Sequence, residues 1–180
     1  MDGLALLQSS TAEILSHPTW DILLVFALLA GGFFYGISAG KRRIAATIIY
    51  TYVTIAVTSA LPIERLASSP AGGFFPGTSP FWIETGAFLA IFILLALLLG
   101  SSRQRRGFAP ASSWWQVFLL SFAQVGLLIH IVLGFLPGEQ IETLAPLTRT
   151  VLANPAYHLW WLLAPLIILV LLSRFEAREE

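Results

Sequence analysis

The three histidines of this 180-residue chain, His17, His130 and His158, and two of its ten carboxylates, Asp21 and Glu84, are the side chains whose types suit chemistry. Imidazole and carboxylate are the ordinary zinc ligands, and imidazole is the side chain that trades protons most easily near neutral pH. The five residues are widely separated, and no short motif such as His-Glu-x-x-His joins them, so any shared site has to be assembled by folding. Two readings stand side by side. In one, the five gather into a metal or proton site. In the other, Asp21 and Glu84 are favourable charges in the first turns of helices, and His130 is a hydrogen-bonded core histidine. No other arrangement offers chemistry. There is no Gly-x-Ser-x-Gly elbow, phosphate loop, dinucleotide fingerprint or Asp/Glu pair placed to be buried, and Ser59, Ser112 and Ser121 have no base nearby in sequence. With zero cysteines, thiol chemistry and thiolate metal sites are excluded. The expectation is a protein that is not an enzyme and has no cofactor and no assigned metal.

The elements that must position these residues are five long apolar runs, Trp20–Ala39, Ile44–Leu61, Phe81–Gly100, Trp114–Leu136 and Tyr157–Leu172. Each has about the length needed to cross a hydrocarbon core of roughly 30 Å as a helix. Composition points the same way: 57% of residues are apolar, and charged residues make up 11% against about 25% in soluble domains. The predicted fold is all-α, a single domain forming a polytopic membrane helix bundle with five transmembrane helices. Its basic residues orient it. Lys41, Arg42, Arg43, Arg103, Arg105, Arg106, Arg174 and Arg178 fall on one side of a five-crossing topology, leaving only Arg65 and Arg149 of the ten on the other. Lys/Arg asymmetry of this kind places the eight in the cytoplasm, with the N-terminus outside and the C-terminus inside. Residues 1–18 begin with Asp2 instead of a positive region, so the first span is expected to remain as a signal anchor. All six tryptophans, Trp20, Trp82, Trp114, Trp115, Trp160 and Trp161, lie near span ends, as interfacial rings do. No basic stripe extends beyond the clusters, which excludes nucleic acid as a partner and leaves the lipid bilayer.

Small and polar residues predict how the helices pack. Gly32, Gly36 and Gly40 repeat every four residues in the first span and clear one face for a neighbouring backbone. Thr47, Thr51, Thr54 and Thr58 put four hydroxyls on one face of the second. The tight turn between these spans predicts that the glycine groove and threonine stripe face each other or share a cavity. The stripe is either a polar path or plain packing, because threonine can bond its own helix backbone. In the fourth span Ala123, Gly126, His130 and Gly134 share a face, which predicts a close helix beside His130. Without a partner, an imidazole about 9 Å inside the span is costly, and Thr58, Glu84 or a backbone carbonyl is the expected partner. The stretch Ala87–Leu99 of the third span is apolar all round and suits lipid contact. Pro165 should kink the fifth span. Between spans, Pro62–Pro80 is rich in Pro, Gly and Ser around Phe74-Phe75, whereas Pro137–Pro155 spaces Ile141, Leu144, Leu147 and Val151 as a short interfacial helix would, with a break near Pro146.

Asp21 at the opening of the first span, then Gly36-Ile37-Ser38-Ala39-Gly40-Lys41-Arg42-Arg43 running straight into a second span, resembles the start of the colicin V production protein family. The resemblance covers residues 19–61, about a quarter of the chain; Trp160-Trp161 and the segment Pro137–Pro155 have no counterpart in the pattern. It implies a small multi-span protein of a bacterial cytoplasmic (inner) membrane, linked to toxin export and envelope homeostasis, with no catalytic residues to carry over. The function expected on these grounds is assembly, with the chain itself as a homo-oligomer or with other membrane proteins of the envelope or secretion machinery. The alternative is a small transporter, channel or substrate-binding membrane subunit with a polar path between the second and fourth spans. A cavity lined by Thr51, Thr54 and His130 would favour the alternative; a dry interface would favour assembly.

Overall fold

The computed structural model describes residues 20–62, 80–100 and 114–176. His17, Arg65, the Phe74-Phe75 loop, the cluster Arg103 to Arg106 and Arg178 lie outside the described residues. Among the described residues there are only helices and turns: α1 Trp20–Ala39, α2 Lys41–Ala60, α3 Pro80–Gly100, α4 Trp114–Gly134, a five-residue α5 Gly138–Glu142, a π turn Thr148–Leu152, a 3-10 turn Pro155–Tyr157, and α6 His158–Glu176. The helices α1, α2, α3, α4 and α6 are each long and apolar enough to cross a membrane, the architecture of a multi-pass membrane protein.

The ends of these helices follow local chemistry more closely than apolar content. Helix α2 starts at Lys41, three residues before the apolar run, because one residue suffices to turn the chain. Gly40, at φ 78° and ψ 159°, occupies a backbone region open in practice only to glycine. Its N–H still donates to the Gly36 carbonyl, and its own carbonyl accepts from Arg43 and Ile44. Gly40 is therefore a turn residue, and not the third member of a packing stripe as its spacing suggested. Pro80 is accepted as the first residue of α3, where its missing N–H has no intrahelical partner to lose. Helix α4 stops at Gly134 and not at Leu136, so His130 is only about 6 Å of helix rise from its end. At its far end α6 continues past the apolar run through Ser173 and Arg174.

Helix α4 is the centre of the bundle. Ten of its 21 residues are buried, against five of 20 in α2 and one of 20 in α1. It packs on α1, α2 and α6, while α3 lies outside, against α2. Two apolar clusters stack along this axis. One contains Ile44, Ile48, Val117, Leu120 and Leu172; the other contains Phe88, Leu127 and Ile131, with Phe135 and Leu162 packed around them. Between them Gln124 donates from Nε2 to the Thr51 hydroxyl at 2.7 Å. This buried side-chain bond sets the rotation of α2 against α4, where burying either group alone would be unfavourable.

The glycine groove of α1 is filled by α4, not by the threonine stripe. A β-carbon on Gly32 would stand 2.2 Å from Val125 Cγ2, and one on Gly36 would stand 2.1 Å from Ser121 Oγ and about 3 Å from Ile44 and Val117. Helix α1 runs beside α4 so that Lys41 reaches Gln116 at one end, while Asp21 accepts from the Ala145 N–H at 2.9 Å at the other. The threonines turn elsewhere. Thr47, Thr51 and Thr54 donate to the carbonyls of Ile44, Thr47 and Tyr50 respectively, the intrahelical bonding that makes a hydroxyl tolerable in an apolar bundle. Thr85 and Phe88 of α3 are buried, so this helix has one inward face within its otherwise exposed apolar surface.

Candidate functional site

At the end of the bundle away from Lys41–Arg43 and Arg174, a cavity of about 460 Å³ is lined by Ile55, Thr58 and Ser59 of α2, Leu61 just after it, Glu84 of α3, His130, Ile131 and Gly134 of α4, and Phe135, Ala153, Pro155 and His158. The fold thus brings together three of the five residues singled out for chemistry: Glu84, His130 and His158. It does not bring Asp21, whose carboxylate is engaged with Ala145, and His17 lies outside the described residues. Among the described residues no three His, Asp or Glu side chains are placed to hold a metal ion.

His130, 3% exposed, is held at both ring nitrogens. Nδ1 lies 2.5 Å from the Leu152 carbonyl oxygen, and Nε2 lies 3.0 Å from Nδ1 of His158. The first contact fixes the tautomer, because a carbonyl can only accept. With both rings neutral, His130 Nδ1 carries the proton, His130 Nε2 accepts from His158 Nδ1–H, and His158 is left with Nε2 as its remaining acceptor. The partner of His130 is therefore a backbone carbonyl together with a second histidine, and neither Thr58 nor Glu84 among the expected three.

The support behind this pair explains the glycine before it. Trp161 stacks on His130, with ring centroids 6.2 Å apart, and its indole N–H donates to the Val151 carbonyl at 2.8 Å. A β-carbon on Gly126 would stand 2.3 Å from the rim of that indole, so the small residue of α4 is there to seat a tryptophan of α6. Trp161 is accordingly a packing residue, whereas Trp160 beside it is exposed as an interfacial ring would be. Gly134 has nothing within 4 Å and widens the cavity instead of admitting a helix.

Pro165, buried in α6, removes one backbone donor and loosens the turn before it. The Tyr52 hydroxyl of α2 donates to the Leu162 carbonyl in that turn, the kind of side-chain compensation that lets membrane helices keep a proline.

Among the described residues, four buried polar atoms have no hydrogen-bond partner: Thr58 Oγ1, Thr85 Oγ1, Ser121 Oγ and Gln124 Oε1. Of these residues, Thr58 alone lines the cavity, and it is 7% exposed. Thr51 and Thr54 do not reach it; both are fully buried with their hydroxyls bonded along α2. Thr51 and Thr54 thus lie in a dry interface, the arrangement expected of assembly, and the polar surface is a pocket at one end and not a path down the threonine stripe. Glu84 is half-buried at the rim.

Comparison of the chain with protein-family models, with curated proteins and with solved structures finds no match in any of the three.

Proposed function

We propose that this chain is a non-enzymatic multi-pass membrane protein that binds a small molecule in the cavity between Thr58, Glu84, His130 and His158, as a substrate-binding subunit or small transporter. The observation that carries the reading is a cavity of about 460 Å³ whose largely apolar wall brings Glu84, His158 and Thr58 together. A volume of this size lies within the range of small-molecule sites, where a few polar groups converge on an apolar lining. The glycines that would suit docking of another chain are already occupied: Gly32 and Gly36 by α4, Gly126 by Trp161. The distribution of basic residues supports the cavity at the outer side and the C-terminus in the cytoplasm, and the resemblance of residues 19–61 to the colicin V production proteins supports a bacterial inner membrane.

The test is to fill the site. In dodecyl maltoside, six-carbon probes (hexanol, hexylammonium and hexanoate) are titrated by calorimetry into the wild type and into Gly134→Phe, which places a ring where no atom now stands. Binding by at least one probe that Gly134→Phe abolishes is the expected result. Binding by none, or binding that survives the filled cavity, overturns the reading.

A second reading keeps assembly in the manner of the colicin V production proteins that residues 19–61 resemble. It is favoured by Gly31, exposed on α1 with nothing within 4 Å and flanked on that surface by Phe34 and Tyr35. If a second chain docks there, Gly31→Leu changes the oligomeric state in detergent; an unchanged state rules this out.

A further inference from the structure

Resting on the proposed binding role, the cavity's own chemistry narrows what it takes. Among the described residues that line it, Glu84 is the only charged one, with no lysine or arginine beside it. Nothing among the described residues bonds the Glu84 carboxylate. The second polar group is the histidine pair, whose hydrogen-bond order runs from His158 Nδ1–H to His130 Nε2 and from His130 Nδ1–H to the Leu152 carbonyl. Both donors of the pair are thereby consumed inside the protein, and the nitrogen left over, His158 Nε2, is an acceptor. Two free acceptors, one of them anionic, suit a donor-rich group. An anion would meet Glu84 with no cation to offset it among the described residues of the lining. The remaining wall is apolar: Ile55, Leu61, Ile131 and Phe135.

We infer that the cavity takes a primary ammonium group on an apolar body, with the ammonium seated between Glu84 and His158 and the body against Ile55, Ile131 and Phe135. An ammonium brings three N–H donors, enough for both carboxylate oxygens and the imidazole nitrogen. In a site shielded by apolar walls, a charge-assisted hydrogen bond is about twice as strong as a neutral one. Such a group occurs both on free alkylamines and on lipid headgroups of the ethanolamine type.

The six-carbon probes decide between head groups on one chain length. Hexylammonium is expected to bind about tenfold more tightly than hexanol, a ratio equal to about 1.4 kcal/mol, with hexanoate weakest. Glu84→Gln should erase the preference for hexylammonium while hexanol still binds, and Glu84→Asp should restore part of it. If hexanol or hexanoate binds as well as hexylammonium, the ammonium assignment is overturned and the binding cavity stands. If no probe binds, the cavity reading itself fails. Adding phosphatidylethanolamine or phosphatidylglycerol to the micelles separates the sources. Displacement of hexylammonium by phosphatidylethanolamine alone assigns the ammonium to a lipid; displacement by neither assigns it to a free amine. Equal displacement by both overturns the inference, since the site would then be reading acyl chain and not head group.

Discussion

Replacing His130 with leucine removes both ring contacts at once, and the structure sets the size of the effect. Hydrogen bonds are worth about 1 kcal/mol net in general and average about 0.6 kcal/mol between membrane helices. Two are lost, to Leu152 and to His158. The Leu152 carbonyl, in a residue that is itself buried, also loses its donor, which costs about 1–3 kcal/mol. His130→Leu should therefore destabilise the bundle by about 2–4 kcal/mol. Glutamine keeps a donor and an acceptor and for that reason looks like the mild replacement in the sequence, but the shorter contact is made by Nδ1, close to the backbone. The asparagine amide sits where Nδ1 does and the glutamine amide sits nearer to Nε2, so His130→Asn keeps the Leu152 contact and should cost about 1 kcal/mol. His130→Gln gives that contact up and should cost about 2 kcal/mol. Unfolding in dodecyl sulfate titrations of the detergent-solubilised protein, followed by far-UV circular dichroism, measures all three. A leucine variant as stable as the wild type, or a glutamine variant more stable than the asparagine one, refutes this account of the site.

Gly126→Ala should destabilise by about 1–3 kcal/mol, since the new methyl overlaps an indole already tied to Val151; loss of His130–Trp161 stacking would show as a shift in tryptophan emission. Gly40→Ala should cost about 1–3 kcal/mol through backbone strain alone, whereas Gly31→Ala, with open space around it, should be neutral or slightly stabilising in the same unfolding assay. Tyr52→Phe removes the donor to Leu162 beside Pro165 and should lower stability by about 1 kcal/mol in the same titration, with the fold intact. Reporter fusions at Glu180 and in the loop 68–78 should report opposite sides of the membrane, cytoplasmic and external respectively; a C-terminal reporter on the outer side reverses the orientation.

The spans were legible because membrane-length apolar runs and their basic flanks are local properties of the chain. The starts at Trp20 and Trp114 coincide with the helices, and the departures are small and chemical: Lys41–Arg43 wind into α2, and Arg174 winds into α6. What packs against what was not legible. A Gly-x-x-x-Gly stripe says that something approaches closely, without naming it, and the short turn at Gly40 drew attention to α2 when the occupant was Val125 and Ser121 of α4. Likewise His130 was recognisable as a residue needing a partner, but Leu152 and His158 become neighbours only because the turns between Gly138 and Tyr157 fold back over the end of α4. The one available signal was a small residue, Gly126, one turn before His130, with a large ring in another span to fill it. Trp161 was read as an interfacial anchor because it lies near a span end, a position that suits Trp160 beside it.

The one-residue turn at Gly40 has a consequence for the lipid around the protein. Because Lys41, Arg42 and Arg43 are wound into α2 instead of hanging in a loop, their height is fixed by the helix. Removing these three from its 20 residues leaves 17, about 25 Å of apolar length at 1.5 Å per residue. The central α4, with 21 residues and no charged side chain, reaches about 31 Å. Arg43 is further restrained beside the Tyr35 ring and Lys41 beside Gln116, which limits how far these long side chains can stretch toward water. The α2 flank of the bundle is thus several ångströms shorter in hydrophobic height than its centre. The surrounding bilayer has to thin beside α2, or the whole bundle has to tilt, at a cost of fractions of a kcal/mol per ångström of mismatch. The protein should therefore unfold at higher denaturant in bilayers of shorter-chain lipid, and should gather such lipids on its α2 side in a mixed membrane.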